Sequence, residues 1–178
     1  MSHLSLIAEV EDWLLGKALV DPDITALFQK LCERLHGLGI PVDRAALSWP
    51  TLHPLFRAEQ VLWRAESGVT LMQFEHATAN DEKWRNSPFY QAHRKGLTQM
   101  RRRLSGPEAR ADFIVLEELQ AEGFTDYLLT ATQFRIAEAE HFAGGNTGIM
   151  ASWATRRESG FSDADFEALR RIQRVFAV

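Results

Sequence analysis

The chain has 178 residues, of which 46% are hydrophobic and 25% are charged, an ordinary balance for a globular protein. This composition excludes intrinsic disorder as the main state, and the length predicts one domain that buries a core of its own. The 20 basic residues stand against 24 acidic residues, and the net charge of −4 disfavours a dedicated nucleic-acid binder.

The sequence also carries information on the cellular compartment. No apolar run approaches the roughly 20 residues of a membrane-spanning helix. The first residues, Met1 to Leu4, lack the basic start and apolar core of a signal peptide. Cys32 is the single cysteine, so an internal disulfide is excluded, which is typical of a reducing compartment. We therefore expect a cytoplasmic protein that does not bind membranes.

Residues 1–40 are predicted to form two amphipathic helices. In the first, apolar residues recur on one helical face before Gly16; they are Leu6, Ile7, Val10, Trp13 and Leu14. In the second, Asp21 is suited to cap the helix and Pro22 to occupy its first turn. Gly39 supplies the left-handed stop.

The middle of the chain predicts strands separated by short helices. The strand candidates are Arg44–Trp49, Glu59–Arg64, Val69–Glu75, Tyr127–Phe134 and Gly148–Thr155. The helix candidates are Phe89–Lys95, which follows Ser87-Pro88, and Phe113–Ala121. Glu59–Arg64 and Val69–Glu75 alternate around the turn Ala65-Glu66-Ser67-Gly68 and are predicted to form a hairpin. Strands that follow one another directly favour antiparallel pairing. The sequence therefore predicts an α+β fold, an antiparallel sheet of about five or six strands flanked by helices.

The C-terminal segment, residues 161–178, carries clear signals for a helix start. Ser162 is an N-cap with Asp165 at the third helical position, a variant of the capping box. Its apolar stripe, Leu169, Ile172 and Phe176, runs on towards the last residue without a stop signal. We expect that the chain is a piece of a longer protein. The stripe either packs on the chain's own sheet or continues as the seam of a coiled coil.

Several short phrases of the sequence carry a resemblance to a known family. They are Leu47–Pro54, Val61–Arg64, Ser87–Tyr90, Arg101–Leu104, Thr125–Tyr127, Ser152–Thr155 and Gly160–Asp163. In this order they resemble the N-terminal regulatory region of class III adenylate/guanylate cyclases from alphaproteobacteria, over residues 10–178. The resemblance implies a single GAF-like domain over 1–178, with 161–178 as a signalling helix that leads towards a cyclase catalytic domain.

Eight aromatic and histidine residues are the predicted ligand-binding residues. They are Trp49, His53, Phe56, Trp63, Phe89, Tyr90, Tyr127 and Trp153. Aromatic walls with a few polar tips suit a planar or amphipathic ligand, and a GAF-like sheet with its covering loops would enclose one. The alternative is that these side chains are ordinary core.

Two histidines were considered as ligands of a metal or a cofactor. His53 either binds a ligand or haem iron, or is a hydrogen-bonded structural residue; the identity of any cofactor stays open. Cys32 and His36 share one helical face, but two ligands do not make a metal site. We therefore predict no metal centre.

Arg101, Arg102 and Arg103 form a basic run. Consecutive strand residues point to opposite faces, so at least one arginine is predicted to turn inward, where it would bind an anionic group. The alternative is a solvated, charged strand edge.

The sequence predicts a regulatory module rather than an enzyme. It contains neither a nucleophile elbow nor a phosphate-binding loop, and the resemblance places the catalytic domain outside this chain. We expect a small-molecule sensor that forms a homodimer through its terminal helices and controls an attached cyclase domain. The alternatives are a ligand-free structural dimerisation domain and, with no motif in its favour, a stand-alone enzyme.

Overall fold

A computed structural model describes residues 3–18, 20, 23–51, 56–75, 82–133 and 148–175. The helices are α1 (His3–Ala18), α2 (Ile24–Gly37), α3 (Glu82–Arg85), α4 (Pro88–Lys95), α5 (Ile114–Ala121) and α6 (Asp163–Val175). The strands are β1 (Arg44–Pro50), β2 (Phe56–Arg64), β3 (Gly68–Glu75), β4 (Gln99–Arg103), β5 (Asp126–Gln133) and β6 (Gly148–Thr155).

The six strands form one antiparallel sheet in the order β3-β2-β1-β6-β5-β4. The predicted hairpin of β2 and β3 is present, and its turn ends at Gly68, whose φ of 78° favours glycine. The first and last strands, β1 and β6, lie together at the centre, while β3 and β4 are the edges. The predicted α+β class and the antiparallel sheet are confirmed.

Helices cover the two faces of the sheet differently. One face, here called the aromatic face, carries Leu47, Trp63 and Trp153 and packs against α1, α2 and α6. The opposite face, here called the small-residue face, has Ala46 and Ser152 at its centre, and α4 and α5 lie over its β4–β5 side. Because successive strand residues alternate between faces, both surfaces come from the same six strands.

Local capping explains where the helices begin and end. Ser87 caps α4 by accepting a hydrogen bond from the Tyr90 amide at 3.1 Å, and Gly96 ends that helix with a φ of 62°. For α2 the predicted cap is wrong. Asp23, not Asp21, accepts hydrogen bonds from the first amides, at 3.0 and 3.1 Å, and the helix begins at Ile24. Asp21 and Pro22 themselves lie outside the described residues.

The start of α6 confirms the predicted capping box. The Ser162 hydroxyl accepts a hydrogen bond from the Asp165 amide at 3.2 Å, and the Asp165 carboxylate accepts one from the Ser162 amide at 2.8 Å. Leu169 and Ile172 are fully buried in the core of the aromatic face. The described part of the stripe therefore packs on the chain's own sheet, and Phe176 lies outside the described residues.

The helix α3 has no counterpart among the helices predicted from the sequence. The arginine run lies in the edge strand β4, which completes the sheet. α1 runs past Gly16 to Ala18, because one glycine costs a helix only about 1 kcal/mol. Within the described ranges, none of the helices combines the length and apolarity needed to cross a bilayer.

Candidate functional site

The centre of the small-residue face is built from short side chains. Ala46 of β1 lies opposite Ser152 of β6, and Arg44 lies opposite Ala154. On the aromatic face, the adjacent positions of the same two strands pair a large residue with a small one, Trp153 with Ala45 and Leu47 with Ala151. Short side chains at the centre of the small-residue face let a group that packs on the sheet approach the backbone of β1 and β6.

Arg44 is the most unusual side chain of this face. It is only 8% exposed, and its Nε is buried without a hydrogen-bond partner. None of the ion pairs found among the described residues includes it. Burial lowers the pKa of the Arg44 guanidinium, and the nearby charges of Glu118 and Glu122 do not restore it. A buried cation without a close counter-ion is costly, so this position favours an anionic group.

Hydroxyl groups accompany Arg44 on the same face. Tyr127 is 2% exposed, and burial raises the pKa of its phenol to about 12, so the phenol stays protonated at neutral pH. Ser152 forms a hydrogen bond with this phenol. Ser48 donates a hydrogen bond to the backbone carbonyl of Glu59 at 3.3 Å. The Ser48 hydroxyl hydrogen is used in this bond, so Arg44 and the Tyr127 phenol are the groups that can donate to a carboxylate or a carbonyl.

The described helices lie over one side of this face. Phe89 of α4 and Leu116 of α5 pack with Leu129 over the β4–β5 side. On the β2–β3 side, Leu62 and Met72 are half-buried. An ion pair between Arg64 Nη1 and Glu122 Oε2, 2.5 Å long, joins β2 to the end of α5. Through the hydrogen bond from Arg64, this contact lowers the pKa of Glu122.

The eight predicted ligand-binding residues do not lie together. Trp49, Trp63 and Trp153 belong to the aromatic face. The Trp153 ring is fully buried, and its Nε1 donates a hydrogen bond to Thr130 Oγ1 at 3.2 Å. The Phe28 ring of α2 lies 6.2 Å from it, centroid to centroid. On this face the predicted residues pack as core.

Phe89 and Tyr127 belong to the opposite, small-residue face, and Tyr90 packs edge-on against Trp84 at 6.0 Å. His53 and the side chain of Phe56 lie outside the described residues. The sheet therefore separates the described members into two groups. Ligand binding by any of the eight residues stays a prediction.

The sequence reasoning missed Arg44, Ser48 and Ser152. The sequence did contain a signal for the two serines. Ser48 directly precedes Trp49, and Ser152 directly precedes Trp153, in the phrases that carry the resemblance. Strand alternation places each serine on the face opposite its tryptophan. The large aromatic residues drew the prediction to the face that the helices α1, α2 and α6 fill.

The arginine run of β4 divides between the two faces, as alternation predicts. Arg102 binds Asp112 at 2.9 Å near α5. Arg101 and Arg103 both turn to Asp126, which is fully buried, with N–O distances of 2.6 and 3.3 Å. Binding of an anionic ligand by the inward arginines stays a prediction, since their described partner is a carboxylate of the chain itself.

Asp126 also fixes the entry to α6. Its Oδ2 accepts a hydrogen bond from the Phe161 amide at 2.9 Å, and Arg101 Nη2 donates to the Phe161 carbonyl at 2.7 Å. The backbone of Gly160 has a φ of 72°, and a Cβ there would lie 2.5 Å from Asp126 Oδ2 and would overlap Arg103. We call Asp126, Arg101, Arg103 and the Gly160–Phe161 backbone the α6 anchor.

The Cys32 and His36 pair has a structural explanation. Cys32 is fully buried, and burial raises the pKa of its thiol. His36 Nδ1 lies 2.9 Å from the Val42 carbonyl oxygen. Over the described stretches of the chain, no three or more His, Cys, Asp or Glu side chains are grouped as a metal site would require.

Comparison with known proteins identifies the fold. No family model and no curated protein sequence matches the chain. A solved structure from A. aeolicus, described as the nlh2 GAF domain in an inactive state, superposes with a TM-score of 0.54 at 9% sequence identity. The match covers 98% of this chain and 95% of that chain.

At this identity the likeness shows the fold alone, and the chain has a GAF-like fold. The narrower resemblance to the regulatory region of alphaproteobacterial cyclases is not tested by this likeness.

Proposed function

We propose that the chain is a regulatory domain that senses a small molecule on the small-residue face of its sheet. The observation that carries this proposal is the buried Arg44, whose Nε lacks a partner beside the short side chains of Ala46 and Ser152. A ligand with a carboxylate or similar anionic group would pair with the guanidinium and relieve the cost of its burial. Tyr127 would donate a further hydrogen bond.

The signal would leave the domain through α6. The buried Gln173 of α6 donates a hydrogen bond to the Ile149 carbonyl at 3.0 Å and accepts one from Thr130, which also holds Trp153. β6 therefore carries both the contact to α6 and, at Ser152, the proposed ligand site. A ligand that favours one arrangement of β6 would shift the population of α6 positions.

The attached domain that we propose is a cyclase catalytic domain, and this part rests on the resemblance of the sequence phrases. We propose further that the domain forms a homodimer through α1 and α6, which contact one another through an ion pair of Arg171 with Glu11. Size-exclusion chromatography with light scattering tests the dimer. We expect twice the 20.2 kDa of the single chain, and a monomer at high concentration contradicts it.

A ligand-free structural dimerisation domain is the second candidate. The observation in its favour is the packing of Trp63 and Trp153, two predicted ligand-binding residues that form ordinary core.

A thermal-shift screen of small carboxylates separates the two candidates. We expect at least one carboxylate to raise the unfolding temperature of the wild-type chain and to lose this effect with Arg44→Met. The matched control is Arg64→Met, since Arg64 neighbours Arg44 on the same face but is paired with Glu122. No response in the whole screen favours the structural domain, whereas equal responses of Arg44→Met and the wild type contradict a ligand site at Arg44.

A further inference from the structure

A groove of about 320 Å³ follows the edge strand β4, between the end of α4 and the start of α6. Its walls include Gln91 and Lys95 of α4, Leu97, Met100 and Arg101 at the strand, and Phe166 of α6. The groove therefore reaches around the sheet edge, because Met100 belongs to the small-residue face and Arg101 to the opposite side. It does not include Arg44, so it is distinct from the site of the proposed function.

The groove combines an apolar floor with positive charge. Leu97, Met100 and Phe166 supply the apolar surface, and the first two belong to the core under α4. Lys95 is exposed, and the ion pairs seen in the described portion of the chain do not include it. The volume is at the lower end for ligand pockets, which run from about 300 to 1,000 Å³, so one small molecule would fill it.

The guanidinium of Arg101 is a second cation at the groove, and its hydrogen bonds fix its orientation. Nε and Nη2 donate to the Asp126 carboxylate, at 3.3 and 2.6 Å. The third nitrogen, Nη1, takes no part in these two hydrogen bonds. Two carboxylates lie near this cation. Asp126 is fully buried in the α6 anchor, and Asp163 at the start of α6 adds a negative charge that acts on Arg101.

We propose that this groove binds a small amphipathic anion, a carboxylate carried on a short apolar body. The carboxylate would lie between Lys95 and Arg101, and the apolar body would cover Met100 and Phe166. The lining determines this choice, since the groove offers the cations of Lys95 and Arg101 beside apolar carbon.

Binding would also stabilise the start of α6. Phe166 lies one turn inside this helix, and Arg101 Nη2 holds the Phe161 carbonyl before it. A ligand that contacts both residues joins β4 to α6 in addition to the α6 anchor. Amides from Phe161 to Ala168 should therefore exchange with solvent more slowly when the groove is occupied.

Benzoate is a suitable probe, and benzamide is its neutral, nearly isosteric control. We expect benzoate, titrated into the whole chain and followed by amide chemical shifts, to move the signals of Leu97 to Arg101 and of Phe166. Benzamide should bind clearly more weakly, and inorganic phosphate should lack the shifts at Met100 and Phe166. Equal binding of benzoate and benzamide overturns the anionic part of the proposal, and equal shifts with phosphate overturn the apolar part.

A pair of surface variants completes the test. Lys95→Gln should weaken benzoate binding about three- to fivefold, the size of one partly exposed ion pair. Lys30→Gln, an exposed lysine of α2, should leave the affinity unchanged. An unchanged affinity with Lys95→Gln overturns the proposal. Chemical-shift changes that centre on Ala46 and Ser152 would also overturn it, but they would support the ligand site proposed for the small-residue face.

Discussion

The two faces of the sheet use adjacent residues of the same strands for different purposes. On the aromatic face, Ala45 lies between Trp63 and Trp153, and three helices cover all of them. On the small-residue face, the next residue, Ala46, lies between Leu62 and Ser152. One face is filled by its own large side chains. The other face has short side chains at its centre, Ala46 and Ser152, beside the buried cation of Arg44.

Under the proposed function, this difference divides stability from recognition between the two faces. Trp153 contacts the core and, through Thr130, is linked to Gln173 of α6. Arg44 has no comparable set of partners at its Nε. Structural side chains are saturated with contacts, while a binding group keeps unused hydrogen-bonding capacity for its ligand.

The largest expected effect comes from neighbouring residues of β6. Trp153→Ala should lower the free energy of unfolding by about 3–5 kcal/mol, because it empties the centre of the aromatic face. Ser152→Ala should cost only about 1 kcal/mol, the value of its hydrogen bond with Tyr127. Urea denaturation followed by far-UV circular dichroism measures both. Similar losses for the two variants would remove the distinction between the faces.

The α6 anchor gives the next effect. Gly160→Ala should lower the free energy of unfolding by about 2–4 kcal/mol, since the left-handed backbone and the contact with Asp126 and Arg103 both oppose a Cβ. Gly106→Ala is the control. Its φ of 81° is equally unfavourable, but its Cβ would meet no atom within 4 Å, so it should cost only about 1 kcal/mol. If both substitutions cost the same, the anchor does not hold α6.

On the small-residue face, one substitution should stabilise the ligand-free chain. Arg44→Met removes a buried guanidinium and keeps an apolar stem, so the free energy of unfolding should rise by about 1 kcal/mol or more. Arg64→Met should lower it by up to about 1 kcal/mol, because it breaks the ion pair with Glu122. Calorimetric unfolding resolves the two signs, and a loss of stability with Arg44→Met contradicts our view of this residue.

The smallest effect is a pH dependence at the start of α6. Burial alone would raise the pKa of Asp165, but hydrogen bonds from Ser162 and the Arg157 guanidinium lower it below its usual value. Because the pKa of Asp165 is lower in the folded state, its carboxylate stabilises the folded protein at any pH above the ordinary aspartate pKa near 4. This contribution is lost as the pH falls through the lowered pKa. Thermal unfolding between pH 7 and pH 3 should show a shallower acid decline for Asp165→Asn. An identical decline excludes this carboxylate as a cause.

The sequence predicted the local features of the fold well. The cap of α4 at Ser87 and the capping box of Ser162 and Asp165 involve residues three positions apart, so their signals are contained in short windows. Strand alternation likewise separated Arg102 from Arg101 and Arg103. The hairpin of β2 and β3 followed from two alternating segments around a glycine turn.

The candidate site depends on contacts that short windows do not contain. Alternation gives two sets of residues in each strand, but which set meets α1, α2 and α6 is decided by packing across the whole chain. Asp126 lies 25 residues from Arg101, and no periodicity links them. Arg44 of β1 lies between Arg64 of β2 and Ala154 of β6, and the charge of Glu118 in α5 acts on it. Aromatic content alone does not distinguish a ligand-binding face from a core face, since aromatic residues also make the best core.

Native mass spectrometry of the purified chain, repeated under denaturing conditions, detects a bound ligand directly. We expect the wild-type chain and Arg64→Met to carry a noncovalent ligand that is lost on denaturation, and Arg44→Met to be bare. The ligand mass would also identify its chemical class. A bare wild-type chain that stays bare after incubation with the carboxylates of the screen, or equal ligand retention by Arg44→Met, would contradict a ligand site on the small-residue face.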